Sequence, residues 1–220
     1  MKVALEKSPI SEDRLFEVKR LKAPYFDPNW HFHPEYQLFV VLQGTVTRFI
    51  GDQVKPFKEG DMVFSGPNLP HLWRSDMEYF DGHKEWMTEG IVVYFHDDFL
   101  GKSFLGKKEM YRISQLFLKA QRGMEITGET ARQVESLMNG LLHVNDFDGV
   151  IALLEILNVL ATTPEYRLLS GAGYTNSLKE SHTERMNNVM SYVMKNFRAK
   201  VTLEEVAAVA NMTPSSFSRY

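Results

Sequence analysis

Apolar and polar positions follow two different textures along the chain. From about Phe16 to Phe95, short apolar runs alternate with turn residues. Tyr36-Gln37-Leu38-Phe39-Val40-Val41-Leu42 is strongly β-prone and ends at Gly44. Thr45 to Ile50, Gln53 to Phe57, Met62 to Ser65, His71 to Arg74 and Gly90 to Phe95 follow, with turn residues between them. Short strands at this spacing predict a β-sandwich or small barrel. After Asp98 the period becomes helical. Met110, Ile113, Leu116, Phe117 and Ala120 share one face, and Gly123 stops that helix. A second helix is predicted from about Glu129 to His143 and a third from Asp148 to Thr162. The third is apolar nearly all round and needs cover on several sides, within the monomer or at a subunit interface.

Proline placement agrees with this division. Seven of the nine prolines lie at or before position 70, which leaves the remainder free to be helical. Ser170 to Ser177 is small and polar and reads as a linker. Its single G-x-G has no preceding strand or third glycine and is not a phosphate loop.

Beyond the linker, Ser181-His182-Thr183-Glu184 forms a capping box, and Met186, Met190, Val193 and Phe197 share a helix face. Thr202-Leu203-Glu204-Glu205 is a second capping box, opening a short helix from Leu203 to Ala210. Asn211 makes the turn, and Met212 anchors it. Thr213 is an N-cap and Pro214 takes the first helical position. Small alanines at 207 and 208 permit close helix crossing, and Phe217 packs back. This is the spacing that a helix-turn-helix requires, and it also suits a plain helical hairpin with a solvated polar face; Ser215, Ser218 and Arg219 face out and are able to reach base edges or phosphates.

Composition narrows the chemistry. The 220 residues are 44% hydrophobic and 24% charged, an ordinary globular balance. There is no cysteine, so disulfides, thiolate metal sites and a cysteine nucleophile are excluded. The opening residues Met1 to Arg14 hold no apolar core long enough for a signal peptide, so none is expected, and no stretch approaches the roughly 20 apolar residues of a membrane span. A cytoplasmic location without membrane contact is expected. Net charge is -3, so DNA binding needs a local basic face. From 181 onward, Arg185, Lys195, Arg198, Lys200 and Arg219 oppose only Glu184, Glu204 and Glu205.

Residues 184–220 resemble the start of the DNA-binding domain of AraC/XylS-type transcription regulators. The likeness rests on Val201-Thr202-Leu203-Glu204-Glu205-Val206-Ala207 and on Asn211 through Tyr220. It implies that the Ser-rich helix is the first of two recognition helices. The chain ends inside that domain, so a truncation is expected.

Trp30-His31-Phe32-His33-Pro34-Glu35 contains an H-x-H. On a strand both rings face one side, and His71 can approach from a neighbouring strand. Two or three imidazoles plus an oxygen make a competent site for a divalent metal, namely Zn, Ni, Mn or Fe. The arrangement is similar to the cupin barrel at His31, His33, Gly44, Gly60 and His71. Where cupins carry an acid, this chain has Gln37, a neutral donor. Glu35 shares the parity of His33 and is a possible substitute. Trp30, Trp73, Tyr36, Phe39 and Phe64 are candidate walls for a small ligand, or plain barrel core. His83 and Trp86 receive no role.

The expected fold is α+β: an N-terminal cupin-like double-stranded β-helix barrel over 1–97, a helical connector over 98–169, a linker at 170–180 and a partial helix-turn-helix domain over 181–220. Gln121 to Ile126 matches the connector of the same family, which implies dimer contacts. The candidates are Ile151, Leu154 and Leu157. The expected function is a homodimeric, non-enzymatic regulator that binds DNA and senses a small-molecule effector through His31, His33, Gln37, His71 and Trp73. A metal-dependent cupin enzyme, oxygenase or isomerase, is the alternative; a sensor lacking DNA binding is another.

Overall fold

The computed structural model describes residues 9–26, 30–51, 53–76, 79, 87–171, 185, 188–189, 192–193, 196 and 199–219. His83, Trp86, linker positions 172–180, the capping box at Ser181–Glu184 and the expected face at Met186, Met190 and Phe197 lie outside the described residues.

The first part is built of strands β1 (Phe16–Ala23), β2 (Tyr36–Gln43), β3 (Thr45–Ile50), β4 (Gln53–Lys58), β5 (Met62–Ser65), β6 (His71–Ser75) and β7 (Thr88–Phe95). A 3-10 turn (Lys108–Met110) leads into α1 (Tyr111–Ala120). Strand β8 (Met124–Ile126), α2 (Gly128–Leu141), α3 (Asp146–Thr162) and β9 (Tyr166–Leu168) follow. The C-terminal part holds α4 (Leu203–Val209) and α5 (Pro214–Phe217).

Two antiparallel sheets face each other. One has the order β1-β7-β2-β5-β8-β9 and the other β4-β3-β6. The larger sheet is covered on both sides, which explains why β2 reads as a continuous apolar run rather than an alternation. Leu38, Val40, Met62, Phe64, Ile91 and Val93 turn outward into a core shared with α1, α2 and α3. Phe39, Val41, Val63 and Val92 turn inward and meet Val46, Ile50, Phe57 and Trp73 of the smaller sheet. The hairpin between β2 and β3 closes on Gly44 at φ +102°, a conformation that glycine reaches without a Cβ clash.

Two short strands depart from the expected helical connector. Met124–Ile126 pairs with β5, and Tyr166–Leu168 pairs with β8, so the helical part extends the barrel sheet itself. Ser170, expected to open a solvated linker, is buried. Its amide donates to the Arg122 carbonyl at 2.9 Å, and the Arg122 guanidinium donates back to the Ser170 carbonyl at 2.7 and 2.9 Å.

Helix α3 finds most of its cover within the chain. Leu153, Ile156, Leu157 and Leu160 lie in the shared core. Phe147 and Ile151 remain outside, 72% and 50% exposed. Helix α2 begins at Gly128 with φ +67° and borrows its N-terminal acceptor from far along the chain: the Thr130 amide donates to Glu165 Oε2 at 2.8 Å. A carboxylate there also suits the positive end of the helix dipole.

Among the described residues, no helix is long and apolar enough to cross a membrane.

Candidate functional site

Three histidines converge at one end of the barrel interior. His31 and His71 are joined by a two-way backbone bridge, with N···O distances of 3.1 and 2.9 Å. The carbonyl of His33 accepts from the Asn68 amide at 2.8 Å. These contacts, not the pleat of a strand, bring the H-x-H rings together: apart from the bridge at His31, residues 30–35 are not strand. The His31 and His71 ring centroids are 4.4 Å apart, and those of His33 and His71 are 5.1 Å apart. One ligand nitrogen from each ring lies within 4.8 Å of the others.

The hydrogen bonds of His71 set its tautomer. Its Nδ1 lies 2.7 Å from the Leu69 carbonyl oxygen, which can only accept, so Nδ1 carries the proton. Nε2 is then a bare acceptor. It is buried and has no hydrogen-bond partner among the described residues. Burial, followed by the proximity of His31 and His33, holds the His71 pKa well below the usual histidine value. A neutral imidazole oriented by a backbone carbonyl is the form that ligates metals.

His33 is flanked on both nitrogens. Nε2 lies 3.0 Å from Gln37 Oε1, and Nδ1 lies 3.3 Å from Glu35 Oε2. Glu35 therefore does not take the place of Gln37 within the cluster. It sits behind His33, fully buried, with its other oxygen 3.6 Å from His96 Nε2. The parity argument put Glu35 beside the cluster on a strand; the chain bends there instead. The residues fit a divalent metal by donor chemistry: three imidazoles, that of His71 with its Nε2 bare, and an amide oxygen beside His33.

A cavity of about 190 Å³ opens beside this cluster. His31 and Gln37 form its polar end, while Leu21, Phe26, Phe39, Trp73 and Tyr94 form its walls. Phe39 and Trp73 line this cavity. Tyr36 and Phe64 do not: they stack on Phe117 and Phe95 in the outer core, on the far face of the sheet. Trp30 is buried and is not one of the wall residues.

At the C-terminus, α4 opens with the expected capping box between Thr202 and Glu205. Asn211 turns at φ +53°, and Thr213 caps α5 with Pro214 in its first turn. Val189, Val206 and Ala210 form a small core, with Met212 and Phe217 against it. Ser215, Ser218 and Arg219 are all exposed. Of the three residues singled out on α3 for dimer contacts, Ile151 is exposed and Leu154 half-buried, but Leu157 is 1% exposed. Leu157 belongs to the chain's own core and is not available to a partner. The all-round apolar pattern could not separate the two faces.

Sequence reasoning missed Arg48, which is 1% exposed on β3. Its Nη2 lies 3.5 Å from Glu125 Oε2, and its Cζ lies 5.3 Å from the Phe57 ring centroid. A signal was present: Arg48 falls two residues from both Val46 and Ile50, on the inward parity of the strand.

Residues 22–95 match the family model described as Cupin domain. The two antiparallel sheets and the packed helices are an α+β arrangement with a cupin-type barrel. No curated protein matches the sequence significantly. Among solved structures, the AraC-like transcriptional activator CuxR aligns at 9% identity over 90% of this chain and 64% of its own, with a TM-score of 0.44. The chain thus spans less than two thirds of that protein. ToxT from Vibrio cholerae, bound to (E)-4-(8-methylnaphthalen-1-yl)but-3-enoic acid, aligns at 8% identity over 94% of this chain and 93% of its own, with a TM-score of 0.40. An RmlC-like cupin from Methanocaldococcus jannaschii aligns at 20% identity over 37% of this chain and 70% of its own, with a TM-score of 0.29.

Proposed function

We propose that the chain is a ligand-responsive, sequence-specific DNA-binding transcription regulator. The barrel, residues 1–97, senses a small-molecule effector. Residues 98–169 carry dimer contacts, residues 170–180 link, and residues 181–220 begin the DNA reader. The observation that carries this reading is the α4–turn–α5 hairpin with both caps made. It falls on the residues that resemble AraC/XylS-type regulators and presents Ser215, Ser218 and Arg219 to solvent. That hairpin occurs in one chain with a barrel enclosing a cavity. Self-association through α3 would rest on Ile151 and Leu154. A cytoplasmic location follows from this role.

Effector binding alters DNA affinity only if the effector binds two arrangements of the protein unequally. The test is selection by the full-length protein from a random duplex library. Enrichment of one motif, with binding that weakens as salt rises, supports the reading. Recovery of unselected sequence contradicts it.

The three-histidine cluster favours a second reading, a metal-dependent cupin enzyme of the oxygenase or isomerase type. His31, His33 and His71 would hold the metal, with the Gln37 carbonyl beside them. The metal, when bound, supplies a Lewis-acidic charge toward an oxygen-bearing ligand. His71 keeps its lone pair aimed inward, and Glu35 fixes His33 from behind. In the regulatory reading the same residues act only to bind and orient the effector. Turnover that requires stoichiometric metal and is lost in His31→Ala would favour the enzyme.

A further inference from the structure

Besides Glu35 behind His33, the barrel buries a second charged residue away from the histidines, Arg48, which is 1% exposed. On β3, Val46, Arg48 and Ile50 are buried in alternation, so Arg48 points inward. Its neighbour across β6 is Trp73, and the adjacent inward rung pairs Ile50 with His71. Arg48 and Trp73 therefore form the layer of side chains next to the layer that carries the metal candidate. Trp73 is itself a wall of the cavity.

Both members of this layer hold a donor with no acceptor. Arg48 Nη1 and Trp73 Nε1 are buried and lack hydrogen-bond partners among the described residues. Among the described residues, the one carboxylate paired with Arg48 is Glu125, at a long 3.5 Å, and the Glu125 side chain is 18% exposed to water. A buried guanidinium with one distant counter-charge is costly, and each buried donor left unmade adds to that cost. An acceptor carrying negative charge and two oxygens relieves both: one oxygen for the guanidinium, one for the indole N–H. The remaining walls are Leu21 and the aromatic Phe26, Phe39 and Tyr94, which suit an apolar body.

We infer that the effector is a small organic acid, its carboxylate taken by Arg48 and Trp73 and its apolar body held among Phe26, Phe39 and Tyr94. This rests on the sensory reading of the barrel and gives it a ligand class. It also gives occupancy a consequence. Glu125 lies on β8, which belongs to the helical part of the chain. A ligand carboxylate competes with Glu125 for the same guanidinium, so an acid in the barrel loosens the tie between the smaller sheet and β8.

The experiment uses the full-length protein with benzoate and hexanoate as probes. Benzamide and benzyl alcohol serve as uncharged counterparts. Titration calorimetry and thermal denaturation are both read. At least one acid is expected to bind at one site per chain and raise the melting temperature saturably, while the uncharged pair does not. Arg48→Gln is expected to weaken binding roughly tenfold to a hundredfold, the range of a hydrogen bond to a charged group. Trp73→Phe keeps the ring, loses the N–H and weakens binding more modestly. Glu125→Gln keeps binding or tightens it.

If Arg48→Gln does not fold, Trp73→Phe and Glu125→Gln carry the test. The inference is overturned if neither acid binds at millimolar concentration, or if benzamide binds as well as benzoate. Binding that is unchanged in Trp73→Phe, and in Arg48→Gln where it folds, also overturns it, because the two donors are then satisfied by ordered water or serve packing alone. Motif selection from the duplex library without acid binding leaves the regulator and removes this ligand class. Acid binding without motif selection does the reverse.

Discussion

The Leu69 carbonyl and the His71 ring are 2.7 Å apart, and that contact decides which nitrogen of His71 is available. Because the carbonyl takes the Nδ1 proton, the lone pair on Nε2 faces the barrel interior beside His31 and His33. The loop that delivers it, Gly66 to Pro70, carries two prolines.

Glu35 is expected to strengthen metal binding without touching the metal. It is buried against Nδ1 of His33 and fixes that ring with Nε2 toward Gln37. Glu35→Gln should lower Zn or Ni affinity by about tenfold to a hundredfold, the usual effect of removing a supporting carboxylate. Equilibrium dialysis with elemental analysis measures this. His71→Gln should lose stoichiometric binding altogether. Undiminished affinity in Glu35→Gln would assign Glu35 to packing.

Stability should depend on pH through His71. Its folded-state pKa lies well below the 6.5 of an unfolded chain, because burial disfavours the charged ring. Between the two values the unfolded state binds the extra proton, so stability rises with pH across that window. Melts in chelator should therefore lose stability as pH falls below about 6.5. His71→Gln should flatten that slope.

The N-terminus of α2 depends on a glycine and a distant glutamate. A Cβ built on Gly128 would come within van der Waals overlap of Glu165 Oε1, and the backbone there has φ +67°. Gly128→Ala should cost about 1–3 kcal/mol, a typical figure for a strained backbone position. Glu165→Gln should also destabilise, more at neutral than at acidic pH. The Thr130 amide and hydroxyl hold the Glu165 carboxyl below its usual range, so its contribution is present above that range and lost as pH falls through it. Thermal melts of both variants at two pH values check this.

Helix α3 should separate fold from assembly. Leu157→Ala removes a fully buried side chain and should cost about 2–5 kcal/mol. Ile151→Ser, at a half-exposed position, should leave the melting temperature nearly unchanged and reduce self-association in analytical ultracentrifugation. Unchanged self-association would remove α3 from the subunit interface.

Much of the fold was legible because strand alternation and helix period are local. The β2 run, the three long helices and both caps of the C-terminal hairpin follow from neighbouring residues. The strands Met124–Ile126 and Tyr166–Leu168 were not legible, since three residues carry no period and their pairing depends on β5 being exposed to them. The site was half legible. His31, His33, Gln37, His71 and Trp73 do lie together. Convergence of the H-x-H pair came from a backbone bridge, however, and the place of Glu35 behind His33 depends on a bend. Arg48 escaped notice because a lone arginine in an alternating strand ordinarily faces water, and only the opposing sheet makes that face an interior.

The most direct test of DNA reading is the salt dependence of binding to the selected duplex, followed by fluorescence anisotropy for the full-length protein and for Arg219→Ala. Affinity should fall linearly with salt on logarithmic axes, and the variant should bind more weakly with a slope reduced by about one if Arg219 meets a phosphate. If Arg219 meets a base edge instead, the variant should keep the slope and lose preference for one base pair. Wild-type binding that neither prefers the selected duplex nor responds to Arg219→Ala contradicts a DNA-reading role for this hairpin.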